Sequence, residues 1–240
     1  MSPDERSPSA RALSVLAHGD VEVRGRMPYS SNATFFAAVR HDGDELGAVY
    51  KPQRGERELW DFPDGLFGRE VAAYHLSEAL GWGLVPETVL REEAPLGRGS
   101  LQRFVPSDFS QHYFTLLEQE EHHDALRRIA VFDVLANNAD RKSGHCLLGE
   151  DGRVWAIDNG LCFHEELKLR TVVWDFAGDR IDDALLADVE RVAAAPPPAL
   201  CDLLQPVELD ALASRAEWLL RVRTFPSPPP GHRAYPWPLV

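Results

Sequence analysis

The amino-acid sequence predicts an α+β fold in which an antiparallel sheet carrying one helix is followed by a mainly helical half. Three observations carry this. Runs rich in β-branched and aromatic residues, separated by turn residues, fill positions 20–51 and recur over 85–105. Between them, from Phe67 to Leu80, the apolar residues fall at helical spacing. Beyond position 106 the long periodic stretches, 123–138, 181–195 and 207–225, follow the helical period.

Taken in order, residues 1–12 are polar and Pro/Ser-rich and read as a flexible tail. They lack the basic start and apolar run of a secretory leader. Val21 and Val23 alternate with charged neighbours as a first strand, and Thr34–Val39 forms a second. His41–Asp44 is a turn, and Leu46–Lys51 is a third strand stopped by Pro52, which has no N–H to donate. Residues 53–65 form a loop. The helix from Phe67 to Leu80 carries Val71, Tyr74, Leu76 and Leu80 and is closed by Gly81 and Gly83. Val85–Leu90 and Ser100–Val105 complete a lobe of one helix on a sheet. In the second half, His123–Asn138 has a broad stripe including Leu126, Ile129, Phe132 and Leu135. Cys146–Leu148 and Val154–Ile157 pair as a hairpin around Glu150-Asp151-Gly152. Pro196–Pro198 separates the last two helices. The resulting divisions are a tail (1–12), a sheet lobe (13–105), a helical lobe (106–225) and a Pro-rich tail (226–240) containing Tyr235-Pro236-Trp237-Pro238.

Composition narrows the function. The chain has 240 residues, 44% hydrophobic and 26% charged, which excludes bulk disorder and suits two small lobes sharing a cleft. No apolar run reaches the roughly 18–20 residues of a membrane span. A net charge of -13 disfavours nucleic acid and anionic membrane surfaces as partners. Cys146, Cys162 and Cys201 are odd in number and form no CxxC, so neither a disulfide scaffold nor a Cys-rich zinc site is expected, and a reducing cytoplasm fits. The 25 basic residues comprise 22 Arg and 3 Lys: Lys51, Lys142 and Lys168. In so Arg-rich a chain a lysine marks a position where a compact ammonium serves and a planar guanidinium does not.

The chemistry concentrates in three places. Ala139–His145 precedes the hairpin and Ile157-Asp158-Asn159-Gly160 follows it, so the two arms return Asp140 and Asp158 to one edge. One carboxylate suits a nucleotide-bound Mg²⁺, and the other suits a hydroxyl nucleophile. Lys51 on a strand, steadied by Glu70 on the next helix, suits the α- and β-phosphates. Phosphoryl transfer needs positioning and charge neutralisation above all, so this inventory is nearly sufficient. In protein kinases a metal-binding Asn follows the catalytic Asp by five residues, and here that place holds His145.

These segments resemble the phosphatidylinositol 3-/4-kinase superfamily. Asn138-Ala139-Asp140-Arg141 and Ile157-Asp158-Asn159-Gly160-Leu161-Cys162-Phe163 carry the likeness. Val49-Tyr50-Lys51-Pro52, Arg69–Tyr74, Leu84–Thr88 and Gly99–Val105 follow in the family's order, over residues 28–176. Type II phosphatidylinositol 4-kinases are the nearest branch, HipA-like kinases are more distant, and an uncharacterised actinobacterial branch is similar. The resemblance implies a two-lobed kinase-like fold that binds ATP with Mg²⁺ or Mn²⁺ and transfers the γ-phosphoryl group to a hydroxyl of a protein, small molecule or lipid headgroup. It implies that Lys51 contacts the phosphates and Glu70 positions it. Ser30, Ser31, Asn32 and Thr34 would cover the phosphates, and Gln102, Phe104 and Val105 would hold adenine through backbone groups. Asp140 would be the catalytic aspartate that accepts or orients the hydroxyl proton, Lys142 would neutralise the migrating group, and Asp158 would be the metal ligand. His145 would be a second ligand, favouring Mn²⁺ over Mg²⁺, or would contact a phosphate. Two alternatives keep the fold: a nucleotide-binding pseudokinase, and nucleotidyl transfer to a protein.

Overall fold

The computed structural model describes residues 7–28, 32–230 and 233–239. Its first half is built on a five-stranded sheet: β1 (Asp20–Arg26), β2 (Phe35–His41), β3 (Asp44–Pro52), β4 (Thr88–Arg91) and β5 (Gly99–Arg103). The order is β1-β2-β3-β5-β4, with every neighbouring pair antiparallel. The period of two along each strand divides the sheet into two faces. Ala37, Val39, Ala48, Tyr50 and Leu101 form one core on one face. Val49, Lys51 and Gln102 have the opposite parity, and Val49 pairs with Gln102 as Lys51 pairs with Ser100. The second face is thereby available for a site.

The first face is covered by α1 (Pro8–His18), whose first five residues were expected to belong to a flexible tail. Ser7 caps it by accepting the Ala10 N–H at 3.1 Å, and Pro8 occupies the first turn, where no N–H is needed. Ala12, Val15 and Leu16 are buried, and Val15 and Leu16 join the sheet core. The polar composition of residues 1–12 masked this short apolar spacing. Two helices therefore flank the sheet where one was expected.

The second of these is α2 (Leu66–Leu80), ended by Gly81 in the left-handed conformation at φ 74°. It is buried on nearly all sides, and Ala72, Ala73, Leu76 and Leu80 belong to the main core shared with the helical half. That half comprises α3 (Tyr113–Leu117), α4 (His123–Ala136), the hairpin β6 (Cys146–Leu148) and β7 (Val154–Ala156), α5 (Asp183–Ala194), α6 (Pro198–Leu203) and α7 (Pro206–Val222). Helix α4 stops at Asn137, left-handed at φ 52°. Helices α3 and α6 were not expected, since five and six residues are too few for a periodic signal. Pro198, read as part of a separator, opens α6 as a first-turn proline.

In the β3–β5 ladder Gly99 pairs with Pro52. A side chain at Gly99 would collide with the Lys51 carbonyl and the Pro52 Cα, both backbone atoms. Gly99→Ala is expected to cost about 1–3 kcal/mol, the usual cost of overpacking. The check is a lower urea midpoint at unchanged slope, and an unaltered midpoint would show that the strands separate there freely.

Candidate active site

A cavity of about 780 Å³ opens between the second face of the sheet and the helical half. It is lined by Asn32 and Thr34 from the β1–β2 connection, Lys51 from β3, Glu70 from α2, and Gln102, Phe104 and Val105 from the end of β5. Asp140, Lys142, His145 and Asp158 line it from the helical half. The structure thus gathers every candidate residue that it describes. Ser30 and Ser31 lie outside the described residues. The volume is in the range of pockets that hold nucleotide-sized ligands.

Three ion pairs shape this cavity. The Lys51 ammonium pairs with Glu70 and donates to Asp158 Oδ1 at 2.7 Å, joining the sheet, helix α2 and the segment after the β6–β7 hairpin at one nitrogen. Glu70 also accepts the Asn159 N–H at 3.0 Å, which fixes the backbone next to Asp158. Gly160 keeps this approach open, because a Cβ there would lie 3.2 Å from the Glu70 carboxylate. Helix α2 has no capping side chain of its own. Glu56 supplies one from the preceding loop, accepting the N–H groups of Gly65 at 3.0 Å and Phe67 at 2.7 Å. One residue before Glu70, buried Arg69 pairs with Glu208 of α7 and binds the Cys162 carbonyl. Also from the helical half, Lys142 donates to Asp140 Oδ2 at 2.7 Å.

The expectation that Gln102, Phe104 and Val105 hold adenine through backbone groups changes in detail. Gln102 pairs with Val49 and Thr88 within the sheet, and its side chain donates to Thr88. The Phe104 N–H is committed to the Gly47 carbonyl at 2.9 Å. The Val105 N–H has no protein partner among the described residues, so it is the donor left for a ligand.

The residue whose importance the sequence reading missed is Arg141. Its side chain is fully buried. It donates to both Asp133 oxygens from Nε (3.0 and 3.2 Å), to the Ile157 carbonyl (2.6 Å) and to Asn159 Oδ1 (2.6 Å). Its backbone takes the Arg170 carbonyl and gives its own carbonyl to Val172. One side chain therefore ties the segment after Asp140 to both neighbours of Asp158. Asp158 itself is held left-handed at φ 56°. Asn138 adds a local turn by accepting the Asp140 N–H at 2.9 Å.

The electrostatics follow from these contacts. Burial pulls the Lys51 ammonium down, but Asp158 and Glu70 together outweigh it and hold it charged above its ordinary value. Lys51 in turn keeps Asp158 ionised, well below the usual carboxylate range, against the opposing effect of burial. Burial raises the Asp140 carboxyl, with Lys142 working against it. Burial also pushes His145 down to about 4 against the pull of Asp158, so its imidazole is neutral at pH 7. Its Nε2 lies 3.3 Å from Asp158 Oδ2. A neutral imidazole beside an ionised carboxylate is a pair of donors able to hold a divalent ion. Among the described residues no cluster of three or more such side chains forms a cage. The donor set therefore suits an ion that arrives with phosphate and water ligands.

The remaining candidates lie elsewhere. The Lys168 ammonium is 3.3 Å from Glu166 and does not line the cavity. Cys146 and Cys162 are buried and do not line the cavity, whereas Cys201 is exposed. Asp175 accepts the Tyr113 hydroxyl at 2.6 Å, and Trp174 donates its ring N–H to the Ala234 carbonyl.

Arg141→Met leaves Asp133 buried without its partner and is expected to cost about 3–5 kcal/mol in chemical denaturation. Adding Asp133→Leu should recover part of that loss, and a purely additive loss would deny the coupling. Burial pushes the Cys146 thiol up to about 12 and raises Cys162 as well. In the native protein at pH 8, a thiol reagent should therefore modify Cys201 quickly and the other two only after unfolding. Rapid modification of a second cysteine would contradict this burial.

Comparison with known proteins places the chain. No protein-family model matches it. It is 44% identical over 262 residues to Protein Rv2133c of Mycobacterium tuberculosis, covering 93% of this chain and 94% of that protein. It is 31% identical over 129 residues to Phosphatidylinositol 4-kinase gamma 4 of Oryza sativa, covering 44% of this chain and 22% of that protein. Among solved structures, hydra Fam20 with sugar has a TM-score of 0.56 at 14% identity, covering 90% of this chain and 88% of that one. The Golgi casein kinase with Mn/ADP bound has a TM-score of 0.56 at 13% identity, covering 92% and 76%. The expected likeness to phosphatidylinositol kinases is thus confined to part of the chain, and the wider likeness is to kinase-like two-lobed folds. By its near full-length similarity, the chain belongs to the family of Protein Rv2133c, and its fold is kinase-like.

Proposed function

We propose that this protein is an ATP-dependent phosphotransferase that moves the γ-phosphoryl group to a hydroxyl acceptor. The observation that carries the reading is the convergence of Lys51, Glu70, Asp140, Lys142 and Asp158 on one nucleotide-sized cavity. The Golgi casein kinase bound to Mn and ADP, which shares the fold, supports nucleotide and divalent metal as ligands.

In this reading the sheet half, to about residue 105, holds the nucleotide. The Val105 N–H binds adenine, and Asn32 and Thr34 border the phosphates. Lys51 exchanges its contact with Asp158 for the α- and β-phosphates, while Glu70 keeps the ammonium in place. Asp158 and His145 hold Mg²⁺ or Mn²⁺, which when bound supplies charge neutralisation on the phosphate oxygens. Asp140 accepts the proton of the acceptor hydroxyl as that oxygen bonds to the γ-phosphorus. The bond from phosphorus to the β–γ bridging oxygen breaks, leaving ADP and a phosphorylated acceptor. Lys142, already paired with Asp140, faces the migrating group and lowers the cost of its charge. The raised carboxyl of Asp140 suits proton acceptance better than that of Asp158, which Lys51 holds strongly acidic.

Thermal unfolding tests this reading. ATP with Mg²⁺ or Mn²⁺ at about 100 times its dissociation constant should add about 2.7 kcal/mol of stability. Asp158→Ala and chelation by EDTA should each abolish the metal-dependent part. Asp140→Asn should keep that stabilisation and lower transfer by about 10²- to 10⁴-fold. The acceptor should gain one phosphate by mass, whereas a gain of AMP would assign nucleotidyl transfer. Absence of any nucleotide-dependent shift in the wild type would overturn the reading.

A further inference from the structure

Residues 233–239 of the Pro-rich tail lie along the helical half. Ala234 is buried, and its carbonyl accepts the Thr171 N–H at 3.1 Å and the Trp174 ring N–H at 3.2 Å. The Leu239 carbonyl accepts the Ser143 N–H at 2.8 Å, in the loop that carries Asp140 and Lys142. Pro236, between these anchors, is also buried. The segment is therefore fastened on both sides of Trp237, and Trp237 and Pro238 line the cavity together with Asp140 and Lys142. Yet Trp237 is 77% exposed. A broad, largely exposed apolar ring thus borders the same cavity as Asp140 and Lys142.

We infer that Trp237 is the acceptor platform, and that the acceptor is a glycoside whose sugar ring lies on the indole. This rests on the phosphotransferase reading above. An acceptor must present a hydroxyl to Asp140 and a flat apolar surface to Trp237. A pyranose ring has both, with C–H groups on its face and hydroxyls on its rim. The indole offers a matching face and one N–H donor, and Lys142 and Asp140 offer polar partners for the rim. An extended peptide acceptor is the weaker fit. Peptides commonly add to an exposed strand edge; neither edge strand of the five-stranded sheet, β1 or β4, lines the cavity, and the hairpin β6–β7 reaches it only at Leu147.

The test compares the wild type with Trp237→Ala and Trp237→Phe, using methyl β-D-glucopyranoside, methyl β-D-galactopyranoside and methyl α-D-mannopyranoside as probes. Glycerol and a serine-containing peptide are the controls. Saturation-transfer NMR with a non-hydrolysable ATP analogue and Mg²⁺ reports binding, and labelled γ-phosphate reports transfer. At least one glycoside should show saturation at its ring C–H groups and accept phosphate in preference to glycerol. Trp237→Ala should raise its KM about tenfold, the effect of losing one stacked ring, with a smaller change in kcat. Trp237→Phe should keep most of the affinity, and thermal stabilisation by Mg·ATP should persist in both variants. If Mg·ATP stabilises the wild type but no glycoside binds, or the glycoside KM is unmoved by Trp237→Ala, the platform is overturned while the nucleotide site stands. Preference for the peptide, undiminished in Trp237→Ala, overturns it equally. If Mg·ATP fails to stabilise even the wild type, the underlying reading fails and the platform with it.

Discussion

The buried pair between Arg141 and Asp133 is the interaction around which the site is assembled. A guanidinium withdrawn from water is tolerable only when its donors are used, and here they reach a carboxylate, a main-chain carbonyl and a side-chain amide. Those acceptors come from α4 and from the segment around Asp158. Thr171 also donates to Asp133 at 3.0 Å, so the carboxylate is satisfied on both sides. Asp140 immediately precedes Arg141, and Ile157 and Asn159 flank Asp158. Holding one guanidinium therefore sets two carboxylates on one wall of the cavity. A pair of this kind contributes little net stability compared with an apolar replacement, but it admits few alternative arrangements of the loops it joins.

A second constraint acts through α2. Consecutive residues serve different partners: Arg69 binds Glu208 and the Cys162 carbonyl in the helical half, and Glu70 binds Lys51 in the sheet. The helix is buried nearly all round because it belongs to the main core as well as to the cleft wall. Glu56 fixes its first turn from a loop that also borders the cavity. Lys51 is shared between two carboxylates, so a polyanionic ligand competes with Asp158 for it. In the proposed phosphotransferase reading, nucleotide binding would free Asp158 for a metal and so link the two events through one ammonium.

Much of the cavity wall was legible in the sequence. Lys51, Asp140 and Asp158 stand at ends of short strands or beside the hairpin, where turn chemistry and alternation locate a residue from its immediate neighbours. The hairpin that returns Asp158 toward Asp140 was readable from Glu150-Asp151-Gly152. Arg141 stood within a quoted motif and still escaped notice. Its partners Asp133, Ile157 and Asn159 are contributed by separate elements, and nothing local marks a buried arginine. Helix α1 was hidden by the Pro/Ser content around it, although Ser7 and Pro8 are good helix-start residues. The C-terminal segment read as a tail because Pro-rich sequence has no periodic signal, while its order comes from main-chain hydrogen bonds to distant loops.

The sequence by itself determined the type of most of the longer elements, a sheet-rich first half before a mainly helical one, and most of the ionisable side chains that border the cavity. These depend on period, turn chemistry and side-chain type, all expressed within a few residues. The tertiary structure alone decided that Lys51 is held by two carboxylates, that the Val105 N–H has no partner among the described residues, that Arg141 spans the two acidic loops, and that Trp237 stands at the cavity. Each of these is a question of which donor meets which acceptor after burial has removed water. That pairing is set by packing among elements far apart in the chain, so local pattern carries no record of it.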